Sequence, residues 1–374
     1  MFLAALVAGS VLRILQIATS VGSSDSFWWT RHVQYVERFG VLRSYLVSPL
    51  INHPPFSLAI ARLTSHVGAQ FGLKFYDAFR GLQSIADVVT MFALARAARK
   101  LGAQSHFIPI VFFLSPAAIF ISAFHCNSDP TMTMFIVLAM LALIERQPLI
   151  AGVLLGAATG IKIIALAALP LMLLASKGWR ERVRFTTGAA VTGAAIFLPA
   201  VLVTGPVVLK NIFGYTGWKA GWGLPLLLRI AGLLIPNLFH GDPARFVTPL
   251  LIIAVFAVWI AELRRGTIED ERLPRVICLI YLIVLFLGSG FGPHYFFWFL
   301  PFLAFLFARR GTLILHALVS LFLFFVYTTW SGGWPWIYAT RLNPPIVGIF
   351  GLFVWAALGA AVVIGARRLY ARAR

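Results

Sequence analysis

Long apolar blocks alternate with short polar segments along the whole chain. Most blocks approach the roughly 20 residues that a helix needs to cross about 30 Å of hydrocarbon. They lack the residue-by-residue alternation of barrel strands, and helices or closed barrels alone satisfy backbone groups in a bilayer. The pattern predicts an all-α polytopic transmembrane protein of about 12 spans: 2–20, 78–96, 106–123, 130–145, 148–161, 163–176, 184–204, 246–263, 275–290, 294–308, 311–329 and 345–366.

Three stretches depart from this simple alternation. The blocks 148–161 and 163–176 are short, and we expect them to form a tight pair that turns at Lys162. The stretch 222–240 contains two prolines and an arginine and is predicted to be re-entrant or interfacial. Residues 21–77 are interpreted as a long loop between the first two spans.

Composition supports a membrane protein over a nucleic-acid-binding one. Of 374 residues, 60% are hydrophobic and 11% are charged, against about a quarter charged in soluble domains. The net charge of +19 would suit a phosphate backbone, but most basic residues stand at the ends of apolar blocks, where membrane topology explains them. The two cysteines imply no disulfide framework.

Basic residues also give the predicted orientation. Short loops rich in Lys and Arg face the cytoplasm, and in the 12-span arrangement the runs that begin at Arg96, Lys177, Arg264, Arg309 and Arg367 all fall on one side. The opposite side carries Asp25, the His53 corner, the segment 124–129, His294 and the last loop. Polar groups able to bind or react are therefore expected at the outer face.

Two ionisable residues stand out by position. Asp25 follows the first span and precedes interfacial aromatics, where it could act as a general base or be a solvated acid beside a tryptophan belt. Lys162 lies in an apolar setting that makes a charge costly. It could bind an anionic phosphate, or extend its ammonium to the interface.

Three further motifs offer ligand groups at the outer face. The Pro54-Pro55 corner is rigid and presents His53. The tight turn 124–129 contains His125, Asn127 and Asp129; Asp129 before Pro130 is also a good helix start, whereas the other two suggest a site for sugar hydroxyls.

The third motif is glycine-rich, 288–292, and opens into His294 and Tyr295, where the glycines allow a ligand to approach closely. In the last loop, Trp334 is one of three tryptophans that could stack on a sugar ring or anchor the interface. Phosphate-loop, zinc-protease and nucleophile-elbow motifs are absent, so nucleotide-driven transport and serine or zinc hydrolysis lack support.

The order of these motifs resembles the GT-C superfamily of membrane glycosyltransferases, and most closely its bacterial mannosyltransferase-like members. The likeness covers roughly residues 20 to 340. The corner with His53 resembles a Tyr-Pro-Pro motif, and the segment with His294 resembles a Pro-Gln-Tyr pattern; the two histidines replace tyrosine and glutamine. The resemblance implies one transmembrane domain, with a GT-C-like core over about 1–210, additional helices over about 211–374 and no separate soluble domain.

The resemblance also implies the reaction. A polyprenyl-phosphate-linked donor would give its hexosyl unit, mannosyl or glucosyl, to a lipid or glycan acceptor at the extracytoplasmic face of a bacterial inner membrane. We expect Asp25 to be the general base of an inverting transfer. Substrate-binding candidates are His53, His125, Asn127, Asp129, Lys162, His294, Tyr295, Trp334 and Arg341.

No metal or other cofactor is expected, since a lipid phosphate is already a good leaving group and Asp25 and Asp129 are distant in sequence. The alternative is a multi-span transporter or lipid flippase with Arg13, Asp87 and Lys162 along its pathway. Repeat symmetry and polar residues near the midplane would favour that alternative. The clustering of polar residues at one face favours the enzyme.

Overall fold

The computed structural model describes residues 1–215, 217–219, 221–234, 244–330 and 344–371. Within them the chain is almost entirely helical. The α-helices are α1 (Phe2–Thr19), α2 (Ser24–Phe39), α3 (Ser44–Val47), α4 (Pro55–Gln70), α5 (Phe75–Lys100), α6 (Phe107–Phe113), α7 (Pro116–Ile119), α8 (Asp129–Ile144), α9 (Pro148–Ile161), α10 (Leu169–Ala175), α11 (Gly178–Thr204), α12 (Val207–Phe213), α13 (Gly223–Leu234), α14 (Ala244–Arg265), α15 (Leu273–Phe286), α16 (Leu303–Leu306), α17 (Arg309–Trp330) and α18 (Pro344–Tyr370).

Shorter elements interrupt this helical arrangement. A π-helical turn covers Phe120–His125, and 3-10 helices cover Ile163–Ala168, Pro293–Trp298 and Leu300–Phe302. Two short strands, β1 (Trp218–Lys219) and β2 (Gly290–Phe291), pair antiparallel. This pairing fixes the segment before α13 against the glycine-rich segment that precedes His294.

Six of the described helices are long and apolar enough to cross a membrane: α1, α5, α11, α14, α17 and α18. A seventh candidate is the pair α6 and Pro116–His125, which bends by 48°. The shorter helices α8, α9 and α15 are apolar too. The predicted all-α membrane protein is therefore confirmed.

The prediction that residues 21–77 form a loop was wrong. This segment contains α2, α3 and α4. The apolar residues of α2, such as Trp29, Val33 and Val36, recur on one buried face, while most of its exposed side chains are polar. A block-by-block reading of hydropathy misses such a helix because its mean hydropathy is low.

Two predicted spans are also less regular than expected. The block 294–308 consists of two 3-10 helices and the four-residue α16, because Pro293 and Pro301 each remove a backbone donor. The block 106–123 bends where Pro116 follows Ser115. The chain is broken at Lys162, as predicted, since α9 ends at Ile161 and a 3-10 helix begins at Ile163. The tight pairing of the two blocks stays a prediction.

Glycines bring α9 and α11 into close contact. Gly152 and Gly156 lie one turn apart on α9, and a Cβ at Gly152 would stand 2.0 Å from the Phe185 carbonyl oxygen of α11. A Cβ at Gly188 would stand 2.4 Å from the Leu149 carbonyl oxygen of α9. Small residues allow this approach in membranes, and it fixes the end of α9 from which Lys162 follows.

We expect Gly188→Ala to destabilise the protein. The added methyl group overpacks the α9–α11 contact, which costs about 1–3 kcal/mol, although alanine is the better helix former. The control is Gly193→Ala on the same helix, where a Cβ would have no atom within 4 Å among the described residues. Thermal unfolding in detergent should show a lower Tm for Gly188→Ala alone; equal Tm values for the two variants would contradict this packing.

The basic loops meet at one end of the helical bundle. Arg96 at the end of α5 pairs with Glu145 after α8, and Arg146 Nη2 lies 2.6 Å from Asp270 Oδ2 between α14 and α15. Arg309 Nε donates to Gln104 Oε1 over 2.8 Å. These contacts cross between loops that the sequence assigns to the cytoplasmic side.

The intramembrane charges Arg13 and Asp87 neutralise each other. Arg13 Nη2 lies 2.6 Å from Asp87 Oδ2, and both side chains are buried. Arg13 Nη1 also donates to the carbonyl oxygens of Gly9 and Phe113. This ion pair between α1 and α5, also bonded to α6, gives both charges a structural role without a transport pathway.

Candidate functional site

Asp25 lies in the first turn of α2, and this turn is fastened to the π-helical turn. Ser23 Oγ accepts a hydrogen bond from Asp25 N over 3.1 Å and so caps the helix. The same hydroxyl donates to the His125 carbonyl oxygen over 2.6 Å, while Ser23 N donates to the Phe124 carbonyl oxygen over 3.2 Å. The capping residue therefore holds Asp25 next to the segment 124–129.

Arg80 of α5 also holds the segment before α2 and the π-helical turn together. Its guanidinium is buried and donates to the Ser20 hydroxyl and carbonyl oxygens, each over 2.8 Å, and to the Ala123 carbonyl oxygen over 3.3 Å. It also pairs with Asp77 over 2.5 Å. The sequence analysis placed Arg80 inside a span and missed this role, which fixes the backbone on both sides of the site.

The segment after the π-helical turn places Asn127 between two charged groups. Cys126 adopts a left-handed conformation, with φ of 65°, and reverses the chain direction before α8. Asn127 Nδ2 donates to Asp25 Oδ2 over 2.6 Å. Its Oδ1 accepts from Ser128 N over 2.7 Å and from Lys162 Nζ over 3.4 Å. These bonds fix the orientation of the amide and link the base candidate to the cation candidate.

Asp129 is fully buried and both its carboxylate oxygens have partners. Lys162 Nζ donates to Oδ2 over 2.7 Å, and Trp298 Nε1 donates to Oδ1 over 2.5 Å. Lys162 also stands 5.2 Å above the centre of the Tyr295 ring. Asp129 lies at the start of α8, as predicted. It also neutralises the charge of the Lys162 ammonium group and fixes its orientation.

His294 reaches the same place from the 3-10 helix Pro293–Trp298. Its Nε2 lies 3.7 Å from Asp129 Oδ2, and its ring centre lies 4.5 Å from that of His125. His125 Nε2 in turn lies 3.2 Å from Asp25 Oδ2. One ligand atom from each of Asp25, His125 and His294 lies within 4.8 Å of the other two, a spacing able to hold a metal ion.

The His53 corner forms another wall of the site. The Tyr45 hydroxyl donates to the His53 carbonyl oxygen over 2.5 Å, and the His53 ring stacks on Trp29 at 4.3 Å between ring centres. Burial lowers the pKa of His53 well below its ordinary value and that of nearby His32 to about 4. Both imidazoles are neutral near pH 7 and can donate and accept hydrogen bonds.

These side chains line a chamber of about 210 Å³ that we call the polar chamber. Asp25, with its side chain 26% exposed, faces it. So do the side chains of Trp29, His32, Asn127 and His294. His125 and Asp129 do not appear among its lining residues in the described part of the chain, and they lie behind Asp25 and Lys162.

A second chamber of about 290 Å³, the apolar chamber, adjoins the polar one. Both are lined by Asn52, His53, Lys162 and Tyr215. The apolar chamber continues between helices past Ile164, Ile212, Leu251, Val284 and Tyr295. Lys162 therefore stands at the boundary between a polar space and an apolar one.

The electrostatic setting keeps Asp25 ionised. Burial alone would raise the pKa of this carboxyl group, but the neighbouring His125, the hydrogen bond from Asn127 and the charge of Lys162 together outweigh burial and lower the pKa below its ordinary value. Asp25 is thus a carboxylate near pH 7 and can accept a proton.

The structure brings most of the predicted site residues together. Asp25, Asn127, Lys162 and His294 converge on the polar chamber, which His53 also lines. Trp334 and Arg341 lie outside the described residues. Sequence reasoning missed Trp29, His32, Tyr215 and Trp298; the spacing of Trp29 and His32 on one helical face was the available signal.

An ionised carboxylate and an ammonium at one end of a membrane-embedded helical bundle, facing one chamber, define a membrane enzyme that acts on polar substrates. The model of glycosyltransferase family 87 matches residues 52–289, and the chain belongs to this family. It is a polytopic membrane glycosyltransferase. The matched range includes Asn127 and Lys162, whereas Asp25 and His294 lie outside it. No curated protein matches the chain.

Proposed function

We propose that this glycosyltransferase takes a hexosyl unit, mannosyl or glucosyl, from a polyprenyl monophosphate. The observation that carries the proposal is the junction of the two chambers at Lys162. A lipid phosphate has an anionic head and an apolar tail, and the ammonium at this boundary suits the head as a compact charge. The apolar chamber suits the first isoprenoid units, and the polar chamber suits the sugar.

Asp25 and Lys162 would divide the chemistry between them. Asp25 takes the proton of the acceptor hydroxyl group. The oxygen of that hydroxyl group bonds to the anomeric carbon as the bond from this carbon to the phosphate oxygen breaks. Polyprenyl phosphate leaves with the bonding electrons, and Lys162 and His294 stabilise the charge that develops on it. Asn127, which contacts both Asp25 and Lys162, holds the two groups at a fixed separation.

The proposed transfer inverts the anomeric configuration. A retaining two-step reaction needs a carboxylate nucleophile as well as an acid or base. Among the described residues that line the polar chamber, Asp25 is the one carboxylate. Asp129 is fully buried and its oxygens are bonded to Lys162 and Trp298. A single displacement is therefore the reaction that these groups support best.

The remaining chamber walls would bind the sugar and the acceptor. Neutral His32 and His53 offer hydrogen bonds to sugar hydroxyl groups, and Trp29 gives an aromatic surface. Tyr295 lines the apolar chamber beneath Lys162. His125 and Asp129 would act by positioning Asp25 and Lys162. Trp334 and Arg341 are proposed as a stacking group and a weaker phosphate ligand.

We place the site at the extracytoplasmic face, in a bacterial inner membrane. The proposal rests on the basic end of the bundle, which the preference for positive charge inside assigns to the cytoplasm. It counts the shorter apolar helices as crossing segments, giving about 12 spans in a GT-C arrangement. The acceptor is a lipid or a glycan, and the reaction requires no metal or other cofactor.

The test uses purified full-length protein in lipid nanodiscs with a lipid extract as acceptor. We expect consumption of one polyprenyl-phosphate sugar, undiminished in EDTA, and a product whose anomeric configuration by NMR is opposite to that of the donor. Consumption of a nucleotide sugar instead would contradict the donor, and retained configuration would contradict the mechanism. Movement of labelled lipid between leaflets without any transfer would favour a flippase.

A further inference from the structure

Asp25, His125 and His294 are spaced like the ligands of a metal ion, although the proposed transfer reaction requires no metal. These residues offer one carboxylate and two imidazoles, whose ligand atoms lie within 4.8 Å of one another. Both imidazoles are buried. Borderline cations such as Zn²⁺ prefer this mixture of nitrogen and oxygen ligands, whereas Mg²⁺ and Ca²⁺ prefer oxygen alone.

Three of the four imidazole nitrogens form no hydrogen bond with the described residues, although His125 Nε2 faces the Asp25 carboxylate. Neither ring nitrogen of His125, nor Nδ1 of His294, forms a hydrogen bond with any described residue. His125 Nε2 lies 3.2 Å from Asp25 Oδ2, so a cation between them would replace this direct contact with two ligand bonds. Buried polar atoms normally have partners, so these nitrogens are available to an ion that reaches Asp25 and His294 from the polar chamber.

The local charge permits a cation despite the nearby ammonium. Lys162 is paired with Asp129 over 2.7 Å, so its charge is offset before any ion binds. Asp25 adds a further negative charge that faces the chamber. Zn–ligand distances near 2.1 Å require ligand atoms roughly 3.4 Å apart. His125 Nε2 and Asp25 Oδ2 already lie 3.2 Å apart, and all three ligand atoms lie within 4.8 Å of one another. A cation would therefore need side-chain rotations alone, without movement of the backbone, to bring all three atoms into its coordination shell.

We propose that Asp25, His125 and His294 form a binding site for a Zn²⁺-like cation, and that its occupancy inhibits the enzyme. A bound cation would occupy the carboxylate lone pairs that accept the acceptor proton and would fill the space beside Lys162. The inhibition rests on the proposed function, whereas the binding does not. The site would make the transferase sensitive to free transition metal without making it a metalloenzyme.

Binding is tested by equilibrium dialysis of EDTA-treated full-length protein, purified through an affinity tag without histidine. We expect one Zn²⁺ per chain, with affinity weakened by about tenfold or more in Asp25→Asn, His125→Gln and His294→Gln. The matched control is His66→Gln, which removes an exposed imidazole beside Glu37. Unchanged binding in the three variants, or binding lost only in His66→Gln, would overturn the site.

Two measurements keep the test independent of folding and of turnover. X-ray absorption of the Zn²⁺-bound wild-type protein should show two imidazoles and a carboxylate, whatever the variants do. Transfer should fall as Zn²⁺ is added and recover with EDTA. Binding without inhibition would overturn the inhibitory role, while absent transfer with intact binding would instead count against the proposed function.

Discussion

Replacing Asp25 by asparagine should lower the transfer rate by about 10²–10⁴-fold, the range that a general base contributes. The amide has nearly the shape of the carboxylate and can still accept the hydrogen bond from Asn127, so the start of α2 should remain folded. It cannot accept the proton of an acceptor hydroxyl group. The measurement is kcat for donor consumption, with the Tm recorded for the same preparation.

A matched control lies on the same helix. Glu37→Gln removes a carboxylate near the far end of α2, where Glu37 pairs with exposed Arg62 and His66, so transfer should stay near the wild-type rate. A similar loss in both variants would point to damage to α2 as a whole. Substantial turnover by Asp25→Asn would remove the base assignment, even if the donor proved correct.

Replacing Lys162 by methionine should have the second large effect, on both activity and stability. Methionine fills a similar volume but leaves Asp129 buried with the hydrogen bond from Trp298 and the longer contact with His294. Breaking a buried pair in this way costs about 3–5 kcal/mol. Loss of the ammonium should also raise KM for the lipid donor and lower kcat, because the leaving phosphate loses its counter-charge. Thermal unfolding and steady-state kinetics measure the two effects separately.

The variant Lys162→Arg separates structure from chemistry. A guanidinium keeps the charge opposite Asp129, so the Tm should recover most of the loss. Transfer should recover only in part, because a planar fork does not reproduce a compact point charge. A Tm and a donor KM near the wild-type values in Lys162→Met would contradict both roles of Lys162. Asp129 and the phosphate would then have other partners.

The apolar blocks predicted the helix boundaries well where the helices are regular along their whole length. The boundaries of α9 matched the block 148–161, and the helix ends at Lys162, where the apolar pattern is interrupted. Apolar blocks alone could not show that α2 and α4 are helices, because only one face of each is buried and the mean hydropathy of each stays low. They also could not show the 3-10 geometry around His294, where successive aromatic side chains pack on both sides of one short segment.

The site shows the same division. Polar residues on one predicted face were expected to converge, and Asp25, Asn127 and Lys162 lie in one hydrogen-bonded series. Their order in depth could not be predicted, since hydropathy does not distinguish a side chain that lines a chamber from one behind it. Asp129 was expected to contact substrate, yet it contacts Lys162 and Trp298. The left-handed backbone at Cys126 and the hydrogen bonds of Asn127 and Asp129 together set which of these side chains faces the chamber.

The π-helical turn at Phe120–His125 makes the site depend on the number of residues as well as on their identity. A π-helical turn contains an extra residue compared with an α-helical one, and each α-helical residue rotates the chain by about 100°. Deleting one residue there would carry the His125 carbonyl oxygen away from Ser23 and change the direction of Asn127. Distant relatives that differ by a single gap at this turn would present other side chains to the same substrate, although their remaining helices aligned without a break.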